Sequence, residues 1–168
     1  RNRLHYKFAG IKFFNVFGPN EYHKGDMKSV VYKAYRQINE TGKVKLFKSY
    51  KPEYKDGEQM RDFIYVKDCV EVLWWLLENR EANGIFNLGT GHARTWSDLV
   101  NAVFSAMNRG SQINYIEMPE SIRDQYQYFT EAKMDKLHAT GCPLSFRSIE
   151  EAVHDYVVNY LEKREEHL

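Results

Sequence analysis

Apolar and polar residues follow two periodicities along the chain, and the two alternate. Short β-rich runs predict strands at residues 11–17, 44–47, 60–66, 84–89 and 113–116. Elsewhere apolar residues recur at i, i+3, i+4 and i+7, which is typical of helices with one buried face. Such stretches predict helices that begin near Asp26, Asp68, Thr95, Thr130 and Ser148. Strands that alternate with helices indicate an α/β fold.

The predicted helix ends carry suitable capping residues. Asp26 precedes the apolar positions of the first helix as a possible N-cap, and Gly42 follows its last turn. Three later starts pair a capping residue with an acidic one three positions on, at Asp68 and Glu71, Thr95 and Asp98, and Ser148 and Glu151. For the helix that starts at Asp68, the periodicity predicts a buried face of Val70, Leu73, Trp74 and Leu77.

Composition narrows the class of protein only a little. With 168 residues, 43% of them apolar, the chain suits one domain or one lobe of a larger one. A net charge of +1 gives no electrostatic argument for a nucleic-acid partner. No apolar run approaches the ~20 residues of a membrane span, and the densest is Val70 to Leu77, so we expect no membrane partner.

Cysteine and histidine usage argues against disulfides and metals. The two cysteines, Cys69 and Cys142, form no C-x-x-C pair, which fits a reducing, cytoplasmic location. The six histidines show no metal-ligand spacing, so we expect no metal site.

Motifs that bind a dinucleotide are missing. Neither G-x-G-x-x-G nor a P-loop occurs, and no Tyr is followed by Lys four residues later. Gly89-Thr90-Gly91 is only a G-x-G; a tight turn is the favoured interpretation, and an anion site on its amides is the alternative. The chain opens on Arg1, and residues 1–8 have the character of a helix end. We therefore expect a chain that starts inside a larger domain and lacks the part that binds the cofactor's phosphates.

Three segments carry a family resemblance. In their order and spacing, Phe13 to Pro19, Arg61 to Asp68 and Phe86 to Gly91 resemble extended short-chain dehydrogenase/reductases that act on nucleotide sugars. His23-Lys24-Gly25-Asp26-Met27 resembles the H-K-G-S-M loop of ADP-L-glycero-D-manno-heptose 6-epimerases, and Tyr126 to Thr130 is similar to that family too.

The resemblance implies a fold and a reaction. Residues 1–168 would form the C-terminal part of a Rossmann-like parallel sheet plus a small α/β substrate-binding domain. Such enzymes bind NADP in an N-terminal domain and invert C6 of ADP-heptose by transient oxidation and re-reduction. They form homo-oligomers, and their product is a precursor of the lipopolysaccharide core. Another nucleotide-sugar epimerase or dehydratase, or a binding module without turnover, are the alternatives.

The resemblance also assigns roles to residues at the start of the chain. Lys24 would be one of two catalytic bases, beside the cofactor, because hydride leaves one face of the carbinol carbon and returns to the other. Asn15 would contact the substrate and Val16 the nicotinamide. Asp26 and Lys33 stand where the family has Ser and His, and both would touch substrate. A solvated loop Lys24 and a helix-capping Asp26 are the alternatives.

Further substrate contacts would come from the middle of the chain. The resemblance places Phe47, Lys48, Ser49 and Tyr50 at the nucleotide pocket. Arg61 can make bidentate contacts to a diphosphate, with a salt bridge to Asp62 or Asp68 as the alternative. Tyr126 would close the far side of the pocket, or else belong to the core. Asp62 and Asp68 are expected to be structural.

Overall fold

The computed structural model describes residues 8–143 and 145–163, so most of the predicted helix end at residues 1–8 lies outside the described part. The strands are β1 (Ala9–Phe13), β2 (Asn15–Phe17), β3 (Val44–Phe47), β4 (Met60–Arg61), β5 (Phe63–Tyr65), β6 (Gly84–Leu88), β7 (Arg94–Thr95), β8 (Ile113–Ile116) and β9 (Phe129–Thr130). The α-helices are α1 (Val30–Thr41), α2 (Val66–Glu78), α3 (Trp96–Ala106), α4 (Glu120–Arg123), α5 (Asp135–His138) and α6 (Ile149–Tyr156). A 3-10 helix covers Tyr22–Met27, and a π-helix, Val157–Leu161, continues α6.

Most strand pairs are parallel, which confirms the α/β class. β1 pairs with β6, β2 with β5, β3 with β8 and β4 with β9, all in parallel, whereas β7 runs antiparallel to β4. The single strand predicted at residues 11–17 is wrong: the chain changes partner at Phe14, whose N–H bonds to Leu88, while the N–H of Asn15 bonds to Asp62. The run at residues 60–66 divides likewise, at Asp62.

The first helix begins later than predicted. Gly25 has φ 52° and ψ −126°, which breaks the helical path, and α1 starts only at Val30. Ser29, not Asp26, is its cap, because the Ser29 hydroxyl accepts a hydrogen bond from the N–H of Tyr32. Gly42 ends the helix in the left-handed region at φ 72°, as predicted.

The predicted buried face of helix α2 is wrong, because a neighbouring face is buried instead. Val70, Leu73, Trp74 and Leu77 are between 41% and 63% exposed. Cys69, Val72 and Leu76 are buried instead, and Asp68 lies in the first turn rather than at the cap. Apolar residues of α2 point to several sides of the helix, so the periodicity of the sequence does not select one buried face. The Asp68 carboxylate lies on the buried side and binds the guanidinium of Arg147.

Two clusters form the core. The larger one packs α1, α3 and α6 around residues such as Ile38, Phe104 and Tyr156; the smaller one packs α2 and α5 around Phe86 and Leu88. The capping boxes predicted for α3 and α6 are confirmed. The helix predicted from Thr130 is wrong: Thr130 belongs to β9, and α5 is only four residues long. Nowhere in residues 8–143 and 145–163 does a helix have both the length and the apolar character to cross a membrane.

Candidate functional site

A groove runs along the N-terminal half of α1, at the carboxyl end of β2. It consists of two adjoining cavities of about 200 and 250 Å³ that share Val30 and Trp96, and we call it the α1 groove. The residues that line the smaller cavity include Asn15, Val16, Met27, Lys28, Ser29 and Phe63. Those that line the larger one include Lys33, Gln37, Lys45, Leu46, Phe47 and Tyr126. Five predicted site residues, Asn15, Val16, Lys33, Phe47 and Tyr126, therefore come together here.

Two other cavities, of about 630 and 620 Å³, have less suitable linings. The first lies between β1 and α2, and among its lining residues only Arg80 is charged. The second holds Arg94 and Arg147, but carboxylates already pair with both: Arg94 with Asp98 and Glu150, and Arg147 with Asp68 and Glu71. The α1 groove combines apolar walls with cations and an amide side chain, and such a mixture suits a nucleotide sugar better.

Arg61 is a buried cation that contacts two rings of the groove, although it lines neither cavity itself. Its side chain is 9% exposed, and its guanidinium lies 5.8 Å from the Trp96 ring centroid and 5.3 Å from that of Tyr126. One guanidinium nitrogen donates to the Met60 carbonyl at 2.8 Å. Among the described residues no carboxylate lies within ion-pair distance of it, and burial lowers its pKa. Because an unpaired buried charge is energetically costly, binding of an anion to this guanidinium would be favourable.

The predicted alternative for Arg61 is wrong. Asp68 pairs with Arg147, and the Asp62 carboxylate points into the Gly89–Gly91 turn. It accepts from the Thr90 N–H and hydroxyl, both at 2.7 Å, and from the N–H of Gly91 at 2.9 Å. A fourth donor is the N–H of Ala132, at 3.0 Å. Because Asp62 occupies these amides, the turn has no free anion site, and the structural interpretations of the turn and of Asp62 are confirmed.

Aromatic rings build the far wall of the groove. The Trp96 indole N–H donates to the Tyr126 hydroxyl at 3.0 Å, and the Phe47 ring meets the Tyr126 ring edge-on at 6.4 Å between centroids. Burial raises the pKa of Tyr126, so its hydroxyl stays protonated at neutral pH. Flat walls of this kind can hold a planar base.

Lys24 does not line the groove. It is exposed, in the 3-10 helix, and the cavities are lined instead by the following residues Met27, Lys28 and Ser29. Asp26 is exposed as well, and its carbonyl accepts from the Lys33 ammonium at 2.6 Å. The catalytic role of Lys24 and the substrate contact of Asp26 stay predictions.

The segment after β3 divides between groove and surface. Phe47 lines the groove, but Lys48 and Tyr50 turn to Glu117: the Lys48 ammonium lies 2.6 Å from that carboxylate, and the Tyr50 hydroxyl donates to it. The N–H of Ser49 donates to Asp56 at 2.7 Å. The structure therefore does not bring these three predicted contacts into the groove.

Sequence reasoning missed most of the lining residues, among them Trp96, Lys28 and Gln37. Trp96 stands directly after the capping Thr95, where a large ring at the start of a helix is a weak signal of a binding wall. Lys28 and Gln37 reach the groove because α1 starts at Val30. With the helix predicted to start at Asp26, these two residues were not expected at the groove.

Comparison with known proteins places the chain in a family. The model of the NAD dependent epimerase/dehydratase family matches residues 2–89, slightly more than half of the chain. The chain belongs to this family. The resemblance inferred from the motifs is therefore confirmed for the family.

Two curated relatives of this epimerase/dehydratase family member share one name. It is 63% identical over 153 residues to the ADP-L-glycero-D-manno-heptose-6-epimerase of Nitratidesulfovibrio vulgaris (strain DP4), covering 91% of this chain and 47% of the relative. It is 50% identical over 168 residues to the Fusobacterium nucleatum protein of the same name, covering 96% of this chain and 51% of the relative. The chain spans about half the length of the curated relatives it matches.

A solved structure supports the fold. The crystal structure of Helicobacter pylori ADP-L-glycero-D-manno-heptose-6-epimerase matches with a TM-score of 0.68 at 23% identity, covering 90% of this chain and 43% of that one. At this identity the match shows that the epimerase/dehydratase family member has the same kind of α/β fold.

Proposed function

We propose that this chain supplies the substrate-binding side of an ADP-glyceromanno-heptose 6-epimerase. The enzyme would interconvert the D-glycero and L-glycero forms of ADP-D-manno-heptose at C6. The observation that carries the proposal is Arg61, a buried cation without a carboxylate partner in the described part of the chain, set against two aromatic rings of the α1 groove. A diphosphate between a planar base and a sugar matches that chemistry, and the names of the relatives support it.

The groove suggests a binding direction. Tyr126 and Phe47 would hold the adenine, and Arg61 with Lys33 would neutralise the diphosphate. Asn15, at the other end beside Val16, would hold the heptose. The sugar would then reach the loop that carries Lys24. Lys48 and Tyr50 could join only if their contacts with Glu117 opened, and Ser49 only if its bond to Asp56 opened.

The redox step would need a cofactor, for which we propose NADP. When bound, the cofactor would supply the hydride acceptor for oxidation at C6 and the hydride donor for re-reduction from the other face. Val16 would contact the nicotinamide side. Lys24 would accept the hydroxyl proton for one configuration, and a base outside this chain would serve the other. Because the chain has no dinucleotide fingerprint, we propose that it does not turn over substrate by itself. Homo-oligomerisation and a cytoplasmic location stay predictions.

Calorimetry on the chain tests the binding part. ADP-heptose titrated into the chain should bind, and Arg61→Lys should weaken binding by about tenfold or more, because lysine keeps the charge but loses the bidentate geometry. Arg109→Lys is the control, since that exposed arginine contacts Ile38 and Asn39, away from the groove. Equal affinity of the Arg61→Lys variant and the wild type would refute the proposed diphosphate contact.

A second experiment tests turnover. The chain would be joined to the preceding half of the N. vulgaris relative, and interconversion of the two ADP-heptoses would be followed by NMR. Lys24→Ala should lower kcat by roughly 10²- to 10⁴-fold, the usual effect of a lost acid-base group. The exposed Lys43→Ala is the control. Near-normal kcat for Lys24→Ala would exclude a two-base mechanism with Lys24, and binding without any turnover would favour the binding-module alternative.

A further inference from the structure

Glu21 is a buried carboxylate immediately before the loop that carries Lys24. Its side chain is 4% exposed, and it lies at the end of the turn that follows β2. Sequence reasoning gave it no role. A buried carboxylate is costly unless strong donors surround it, so its partners show what it holds in place.

Three donors converge on Glu21, and they come from two elements. One carboxylate oxygen accepts from the Ser29 N–H at 2.5 Å. The other accepts from the Ser29 hydroxyl at 2.7 Å and from the Tyr156 hydroxyl at 2.9 Å. Ser29 is the cap of α1, and Tyr156 is a fully buried residue of α6. The Glu21 side chain therefore closes residues 21–29 into a ring and ties that ring to the core.

The ring contains the Lys24 loop and few other contacts. The Glu21 carbonyl accepts from the Lys24 N–H at 3.0 Å, and the Gly25 carbonyl accepts from the Lys28 N–H at 3.4 Å. Every residue from His23 to Met27 is exposed. Besides these bonds, the Lys33 ammonium donates to the Asp26 carbonyl at 2.6 Å and Tyr22 packs against the core. Because little else holds the segment, its position depends strongly on the buried carboxylate that joins its two ends.

We propose that Glu21 is a positioning residue that holds the Lys24 loop beside the α1 groove, through Ser29 and Tyr156. The proposal rests on the proposed function in so far as Lys24 is the base. Through Ser29, the same carboxylate also fixes the start of α1, whose Val30, Lys33 and Gln37 line the groove. One buried group thus sets the distance between the substrate and the lysine.

The donors explain why a carboxylate is required. Both Glu21 oxygens face N–H or O–H donors. In Glu21→Gln, the amide group must turn its own N–H bonds either toward the Ser29 N–H or toward two hydroxyls. The first orientation places donor against donor, and in the second both hydroxyls would have to rotate to accept. An isosteric change should therefore release the ring with little change in volume.

Hydrogen exchange on the chain, read by mass spectrometry for residues 22–28, tests the ring directly. Exchange should be roughly 10- to 100-fold faster in Glu21→Gln and Tyr156→Phe, the effect of losing one or more hydrogen bonds to a charged group. Tyr65→Phe is the matched control, because Tyr65 is equally buried and donates to the Asp155 carboxylate at 2.8 Å. If residues 22–28 exchange no faster in both variants than in the control, the proposal is overturned.

Kinetics in the joined protein separate positioning from mere stability. Glu21→Gln should lower kcat at least about tenfold and should change KM by a smaller factor, since Arg61 and Tyr126 still hold the nucleotide. Parallel loss in Tyr65→Phe would indicate general destabilisation and contradict the proposal. If Lys24→Ala abolishes turnover but Glu21→Gln leaves kcat unchanged, only this inference fails. If Lys24→Ala has normal kcat, the proposed two-base function fails. Hydrogen exchange would then still test whether Glu21 holds residues 22–28.

Discussion

Asp62→Asn tests how the Gly89–Gly91 turn is held. The Asp62 side chain is fully buried, and its two oxygens accept four hydrogen bonds of 2.7 to 3.0 Å from Thr90, Gly91 and Ala132. A Cβ at Gly89 would lie 2.4 Å from one of these oxygens, so the turn and the carboxylate fit closely together. Asparagine keeps the shape but replaces one acceptor oxygen with an NH₂ group.

The cost follows from counting donors. In the better orientation the amide nitrogen faces Thr90, whose hydroxyl can rotate to accept but whose N–H cannot. The Thr90 N–H then loses its acceptor, which costs about 1–3 kcal/mol. The bonds from Gly91 and Ala132 remain but no longer have a charged acceptor, which costs about 1 kcal/mol in total or somewhat more. We expect Asp62→Asn to lower the free energy of unfolding by about 2–4 kcal/mol, out of the ~5–15 kcal/mol typical of a domain.

Urea denaturation followed by tryptophan fluorescence measures this change. With a slope near ~2 kcal/mol/M, the midpoint should fall by roughly 1–2 M. Asp56→Asn is the control, because Asp56 is only partly buried and accepts a bond from the Ser49 N–H; it should cost less than about 1 kcal/mol. A loss below about 1 kcal/mol for Asp62→Asn would show that the turn does not depend on the four bonds.

Two further predictions concern α2. Leu76→Ala should lower the free energy of unfolding by about 2–4 kcal/mol, because Leu76 is only 7% exposed. Leu77→Ala should change it by less than about 0.5 kcal/mol, because Leu77 is 63% exposed. Equal urea midpoints for the two variants would contradict the buried face assigned to α2. Burial raises the pKa of the Cys69 thiol to about 12, so Cys69 should resist thiol reagents at pH 8 in the folded chain. Since this pKa is above the unfolded value, the stability that the neutral thiol contributes should be lost as pH rises from about 9 toward 12. Cys69→Ala should remove that part of the pH dependence of the urea midpoint, and an unchanged profile or rapid labelling would count against a buried thiol.

Local sequence determined the features that depend on a few neighbouring residues. The capping boxes at Thr95 and Ser148 form because each hydroxyl and its acidic partner are one helical turn apart. Gly42 ends α1 because glycine enters the left-handed region without strain. The motifs also indicated the family, and they selected five residues that meet in the α1 groove.

Only the tertiary structure decided which contacts the ambiguous residues make. Leu76 and Leu77 are identical in side chain and adjacent in sequence, and packing against the sheet buries one and exposes the other. Arg61 stands next to Asp62 along the chain, yet Asp62 binds the turn after β6, 28 residues away, whereas Arg61 contacts the Tyr126 ring, which lines the groove. The Glu21 ring depends on Tyr156, 135 residues distant. Sequence periodicity carries no information on such pairings, because they arise only where the fold brings remote segments together.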